Sequence, residues 1–118
     1  MAALIVEAVA TGGDPASQGV ARPGNRDPLL VVASVTQSSG VPATGLTSQD
    51  LQIEAIIVAA GGALVKISTI SEQKPGTYLL GVVPAPTAGT WMLGRYLFWL
   101  AVKSGTDQGQ TVFDVFVD

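Results

Sequence analysis

The 118-residue chain contains no cysteine and no histidine. Without cysteine there can be no disulfide, no thiol nucleophile and no zinc–thiolate site, and the redox compartment stays open. Without histidine, the usual general base near neutral pH and the commonest transition-metal ligand are both missing. Charge is also scarce. Charged residues make up 13% of the chain, about half the usual share of roughly 25%. The net charge is −3, and the six Lys and Arg residues are scattered, the closest two being Arg22 and Arg26. A phosphate-binding surface needs clustered positive charge, so no nucleic-acid partner is expected and an anionic membrane surface is disfavoured. Long apolar runs are lacking too. The N-terminal "MAALIVEAVATGG" has no basic leader region, is interrupted by Glu7, and is too short to cross a bilayer. It reads as a first strand; no signal peptide or transmembrane segment is visible and no membrane insertion is expected. That leaves the compartment open between a chain not exported by the usual route and a processed chain at the cell surface or secreted.

What is present is apolar and heavily punctuated. Hydrophobic residues make up 47% of the chain, with 14 Gly and 7 Pro spread along it and not in a repeat. That distribution excludes collagen-like and disordered readings. The length suits one domain with a real core, 1–118, in which 1–28 form a first strand and a long loop. With so few charges, some apolar surface is expected to remain outside the core for a partner.

The apolar runs are short and regularly spaced. They are Ala3–Val9, Leu29–Thr36, Leu51–Val58, Leu64–Ile70, Thr77–Val83, Tyr96–Lys103 and Thr111–Val117, with turn chemistry between each pair. This pattern marks an all-β antiparallel sandwich. In Leu51–Val58, Leu51, Ile53, Ala55 and Ile57 fall on one face, with Gln52 and Glu54 on the other. Ser48 and the alanines of "SQDLQIEAIIVAA" also permit a helix, but the alternation and the β-branched residues favour a strand. Gly61-Gly62 reads as a hairpin turn into Leu64–Ile70, and "SEQKPG" and "SGTDQG" as further turns.

The segment "LLVVASVTQSSGVPATGL" resembles the second strand and following turn of bacterial immunoglobulin-like and macroglobulin-like modules. The G-x-P-x-x-G-L turn of those modules corresponds here to Gly40, Pro42, Gly45 and Leu46. "KPGTYLLGVVP" and "LGRYLFWLAV" are similar to their G-x-Y strand openings, at Gly76/Tyr78 and Gly94/Tyr96. The resemblance covers roughly residues 29–117 and implies an immunoglobulin-like antiparallel β-sandwich of about seven strands. It further implies that the Tyr96 hydroxyl bonds back to backbone, and that Phe98 stands where antibody domains carry a disulfide cysteine. The sheets must then be joined by packing alone, through Phe98, Trp91 and the aliphatic residues of Leu29–Val35 and Leu51–Ile57.

Reactive chemistry is hard to find. Asp14, Asp27, Asp50, Asp107 and Glu72 all fall in expected turns, where two could share a calcium ion, but no D-x-D-x-D-G array is present. Turn aspartates ordinarily bond to backbone, and that role is expected here. Glu7, Glu54 and Glu72 are too dispersed for a glycosidase pair. No serine has a base to activate it, and Lys66, Lys74 and Lys103 have no Ser–Lys spacing. "AAGGALVK" lacks the G-x-x-x-x-G-K-[ST] spacing of a phosphate loop. No enzyme, cofactor or metal is expected.

The most informative stretch is "GTWMLGRYLFWLAV". In a strand, Tyr96, Phe98, Leu100 and Val102 share one face, while Leu97, Trp99 and Ala101 share the other, so both faces are apolar. The last run alternates Phe113, Val115 and Val117 with Val112, Asp114 and Phe116. If the two strands pair, Leu97, Trp99, Val112 and Phe116 form an apolar patch on the outer face of one sheet, with Trp99 as an interface anchor. The competing reading is that the N-terminal segment or the long loop folds over that face. The expected function is a non-catalytic interaction module in an oligomeric or multi-protein bacterial or phage-like assembly, with a protein partner or itself. The alternative is an extracellular module binding a glycan or protein, calcium-assisted, through loops at one end of the sandwich.

Overall fold

A computed structural model describes residues 3–10 and 21–117. Seven strands follow in order: β1 Leu4–Ala10, β2 Leu29–Gln37, β3 Leu51–Ile57, β4 Val65–Lys74, β5 Thr77–Pro84, β6 Gly94–Ser104 and β7 Asp107–Val117. They build two antiparallel sheets, β1-β2-β5-β4 and β3-β6-β7. Four strands facing three in this order is the arrangement of the seven-strand immunoglobulin-like sandwich. Each apolar run of the sequence is a strand, and Leu51–Ile57 is a strand and not a helix.

Three local expectations are corrected. Gly61-Gly62 is not a hairpin turn, because β3 and β4 belong to different sheets. The chain does turn there, with the Gly62 N–H donating to the Ala59 carbonyl at 2.7 Å. The turn tucks under the start of β6, where a Cβ on Gly62 would lie 2.7 Å from the Tyr96 hydroxyl. The chain therefore crosses between sheets, which a Gly-Gly pair permits as readily as a hairpin. Second, "SEQKPG" is mostly strand: β4 runs to Lys74, and Pro75 with Gly76 at φ 79° makes the turn. Glu72 thus lies on a strand, and Asp107 opens β7 opposite Ser104. Their polarity marks an exposed strand position at Glu72 and a half-buried one at Asp107, not loops. Third, the register slips between Ala55 and Ile57, so Ile57 pairs with Leu97 and leaves the inner face.

The core lies between the sheets. Tyr96, Phe98, Leu100 and Val102 of β6 are fully buried, as are Val31, Ala33 and Val35 of β2 and Tyr78, Leu80 and Val82 of β5. An aromatic chain runs through it. Trp91 meets Tyr96 edge-on at 5.2 Å, Tyr96 stacks on Phe98 at 5.9 Å, and Phe98 reaches Phe113 at 5.3 Å. Phe98 thus occupies the centre of the sandwich, as the resemblance implies.

Each end is closed by a buried tyrosine. At one end the Tyr96 hydroxyl accepts from the Met92 N–H at 2.9 Å, the expected return to backbone. Beside it the Trp91 indole N–H donates to the Asp27 carbonyl at 2.8 Å, and the Arg26 guanidinium donates to the carbonyls of Pro84, Pro86 and Gly89. These bonds hold residues 22–28 against the β5–β6 connection. At the other end the Tyr78 hydroxyl donates to the Ala43 carbonyl at 2.7 Å and accepts from the Leu46 N–H at 3.2 Å. The glycine of that motif is pressed on the same turn, since a Cβ on Gly76 would lie 2.8 Å from the Pro42 Cβ. The Gly76/Tyr78 motif and the Gly40–Leu46 turn are therefore one structural unit.

The two sides of the sandwich differ. On one side β1 lies along β7, with a parallel bridge between Ala3 and Gln108. Gly109 makes this approach possible, because a Cβ there would overlap the Leu4 carbonyl and come within 2.9 Å of the Leu4 Cβ. On the other side β3 and β4 are the terminal strands of their sheets, and no ladder joins them.

Candidate interaction surface

The outer face of β3-β6-β7 is built by strand alternation. Across it, Gln52, Ala101 and Gln110 form one row, Glu54, Trp99 and Val112 the next, Ile57, Leu97 and Asp114 the next, and Arg95 with Phe116 the last. Their inward neighbours fill the core, so these side chains point to the opposite side of the sheet. Val112 is 53% exposed and Phe116 61% exposed, while Leu97 and Trp99 are half-buried.

The four residues singled out from sequence all lie on this face, but not as one block. Trp99 and Val112 are direct cross-strand partners, and Leu97 adjoins both. Phe116 is separated from Val112 by Asp114, whose carboxylate meets the Arg95 guanidinium at 3.1 Å. Both members of that pair are more than half exposed, so it contributes little stability. Ile57 adds an apolar contact that the sequence reading assigned to the core, because the bulge after Ala55 moves it to this face. No local signal in "EAIIVA" distinguishes a bulge from continued alternation.

Trp99 leans away from the apolar row. Its indole N–H donates to the Gln110 side-chain oxygen at 3.0 Å. The ring borders a shallow groove of about 420 Å³ near the β6–β7 turn, shared with Gln52, Ala101, Lys103, Gln108 and Gln110. The hydrogen bond fixes the ring orientation, which lowers the entropy cost of using it as a contact. The described part of the long loop does not cover this face, since residues 22–28 are bonded to the Trp91 end of the sandwich. Residues 11–20, including Asp14, lie outside the described residues.

The acidic residues are held separately. The Asp50 carboxylate accepts from the Thr47 N–H at 2.8 Å and the Thr47 hydroxyl at 3.2 Å, a local turn bond. The Asp27 carboxylate accepts from the Asn25 amide at 3.2 Å. Glu72 spans two turns, accepting from the Gly76 N–H and the Gly45 N–H, each at 3.2 Å. These bonds, the Gly76 one foremost, lower its pKa below the ordinary 4.5. Burial raises the Tyr78 pKa above the ordinary 10.0 against the opposing Leu46 N–H bond. Among the described residues, no three acidic side chains gather where a metal ion could sit. Among the described residues, Asp27, Asp50 and Glu72 are each engaged in separate local bonds, and the outer face of β3-β6-β7 offers contact surface.

No protein-family model, no curated protein and no solved structure matches this chain.

Proposed function

We propose that the chain is a non-catalytic interaction module, a building block of an oligomeric or multi-protein assembly of bacterial or phage-like type. It uses the outer face of β3-β6-β7 as its interface. One observation carries this reading: Leu97, Trp99 and Val112, joined by Ile57, form an apolar strip on a sheet whose other face already fills the core, with Phe116 beyond the Arg95–Asp114 pair. Half-buried and exposed apolar side chains of this kind mark association surfaces when they are contiguous. The fixed indole of Trp99 supplies an anchor, and the rim of Arg95, Asp114, Glu54 and Gln110 supplies polar contacts.

We also read the chain as a member of the bacterial immunoglobulin-like or macroglobulin-like modules. The contact between the Gly76/Tyr78 opening and the Gly40–Leu46 turn supports this, since the two stretches that carry the resemblance form one bonded unit. A non-catalytic role is supported by the absence of histidine and cysteine and by the separate backbone bonds of Asp50 and Glu72.

The test is paired substitution with association and folding read separately. Trp99→Ala and Phe116→Ser should weaken self-association in sedimentation runs while leaving the β-sheet circular dichroism unchanged. Unaltered association in both variants would remove the face from the account.

A further inference from the structure

Four strand edges flank the two sheets, and they are not equally protected. The β1 and β7 edges lie against each other through the Ala3–Gln108 bridge. The β4 edge carries Lys66, Lys74 and two register breaks, the usual devices against edge pairing. The β3 edge carries no lysine and no proline, and it is regular from Leu51 to Ala55.

The phase of β3 is fixed by one bond. The Lys103 N–H donates to the Asp50 carbonyl at 2.8 Å. Asp50 is thus turned toward β6, as are Gln52 and Glu54 at the same phase, and Leu51, Ile53 and Ala55 turn their N–H and C=O groups to the open edge. The regular segment is centred on Ile53, and its sequence is self-complementary in an antiparallel two-fold register. Ile53 meets Ile53 of a second copy as a hydrogen-bonded pair. Leu51 meets Ala55, large against small, on the inner side. Gln52 meets Glu54 twice on the outer side, as the non-hydrogen-bonded pairs whose side chains approach most closely. An amide facing a carboxylate gives a hydrogen bond without like-charge repulsion. The same two side chains already make such a bond within the chain, at 3.1 Å.

We infer that a second copy of this chain pairs with the β3 edge, antiparallel about Ile53, to give one continuous six-stranded sheet. The inference rests on the reading of the chain as an assembly module and names its partner. Across the joined sheet the two β6 strands that carry Trp99 lie three strand spacings apart, about 14 Å, so the outer faces merge into one surface.

The experiment uses the full chain. Dimer dissociation is measured by sedimentation for wild type, Gln52→Glu and Gln52→Lys, with Thr106→Glu and Thr106→Lys as charge controls on an exposed turn away from the edge. Gln52→Glu sets a second carboxylate against Glu54 at both symmetric pairs and should weaken the dimer by about threefold or more, while Gln52→Lys should tighten it by a similar factor at low salt. The Thr106 controls should leave it unchanged. Amide hydrogen exchange at low and high concentration gives a second reading: Leu51, Ile53 and Ala55 should slow on association, while Gln52 and Glu54, already bonded to β6, should not change. Three patterns separate this inference from the reading it rests on. A response to the charge at position 52 with slowed odd-numbered amides supports the edge pairing, whatever Trp99→Ala does. Association that falls with Trp99→Ala but ignores the substitutions of Gln52 overturns the edge pairing and leaves the face in place. A monomer at every concentration overturns the edge pairing and also self-association through the Trp99 face.

Discussion

At the scale of single residues, the core aromatics and the outer aromatics of β6 should behave as opposites. Phe98 is fully buried and touches both Tyr96 and Phe113. Phe98→Ala should therefore cost about 3–5 kcal/mol in denaturant unfolding, enough to unfold a marginal domain. Trp99 is one residue away and half-buried on the other face, so Trp99→Ala should leave the unfolding midpoint nearly unchanged. Equal loss in both variants would place Trp99 in the core. The tyrosine hydroxyls give a finer comparison. Tyr96→Phe removes the acceptor of one half-buried N–H, a loss of about 1–3 kcal/mol. Tyr78→Phe strands both the Ala43 carbonyl and the Leu46 N–H, so it should cost more than Tyr96→Phe in the same assay. The alternation in "YLFWLAV" made the division of β6 legible, because a period of two needs no tertiary information. The partners of the Tyr78 hydroxyl were not legible, because Ala43 and Leu46 lie 35 and 32 residues away in sequence.

At the scale of elements, the sequence marked where strands run better than where they pair. All seven runs are strands, since apolar alternation and turn residues are local signals. The β3–β4 crossover and the bulge after Ala55 depend on which sheet receives the next strand, and Gly-Gly or an Ile-Ile pair is compatible with either outcome. The same limit hid the Arg95–Asp114 pair that divides the outer strip, since it follows from the β6–β7 register. Two predictions belong here. Gly109→Ala places a methyl group on the Leu4 backbone, so it should push β1 from β7 and speed amide exchange in β1 before the rest of the sandwich. Unchanged β1 exchange would mean that the two edges are not held together. Glu72 ties the β4–β5 turn to the turn before β3, and its folded pKa lies below 4.5. On acidification the unfolded chain binds that proton first. The contribution is therefore full above pH 4.5 and fades as the pH falls through the folded pKa. Glu72→Gln should flatten that part of the stability–pH curve, and a wild-type curve already flat there would contradict the bridge.

At the scale of the whole molecule, four strands face three, and among the described residues the outer face of the three-stranded sheet carries exposed Ile57, Val112 and Phe116 beside half-buried Leu97 and Trp99. Composition foreshadowed this: a chain with 13% charged residues and 47% apolar ones has little polar material with which to cover both faces. The fold class followed from periodicity. The surface followed from the conflict between that periodicity and the aromatic content of β6. The partner was not legible, because an apolar strip states how much surface is available and not what meets it. The measurement that tests this most directly is the native mass of the full chain by light scattering across a wide concentration range. The mass should climb with concentration from one chain to a defined oligomer, and Trp99→Ala should shift the climb to higher concentration. The mass of a single chain at every concentration would contradict self-assembly as the role of this face.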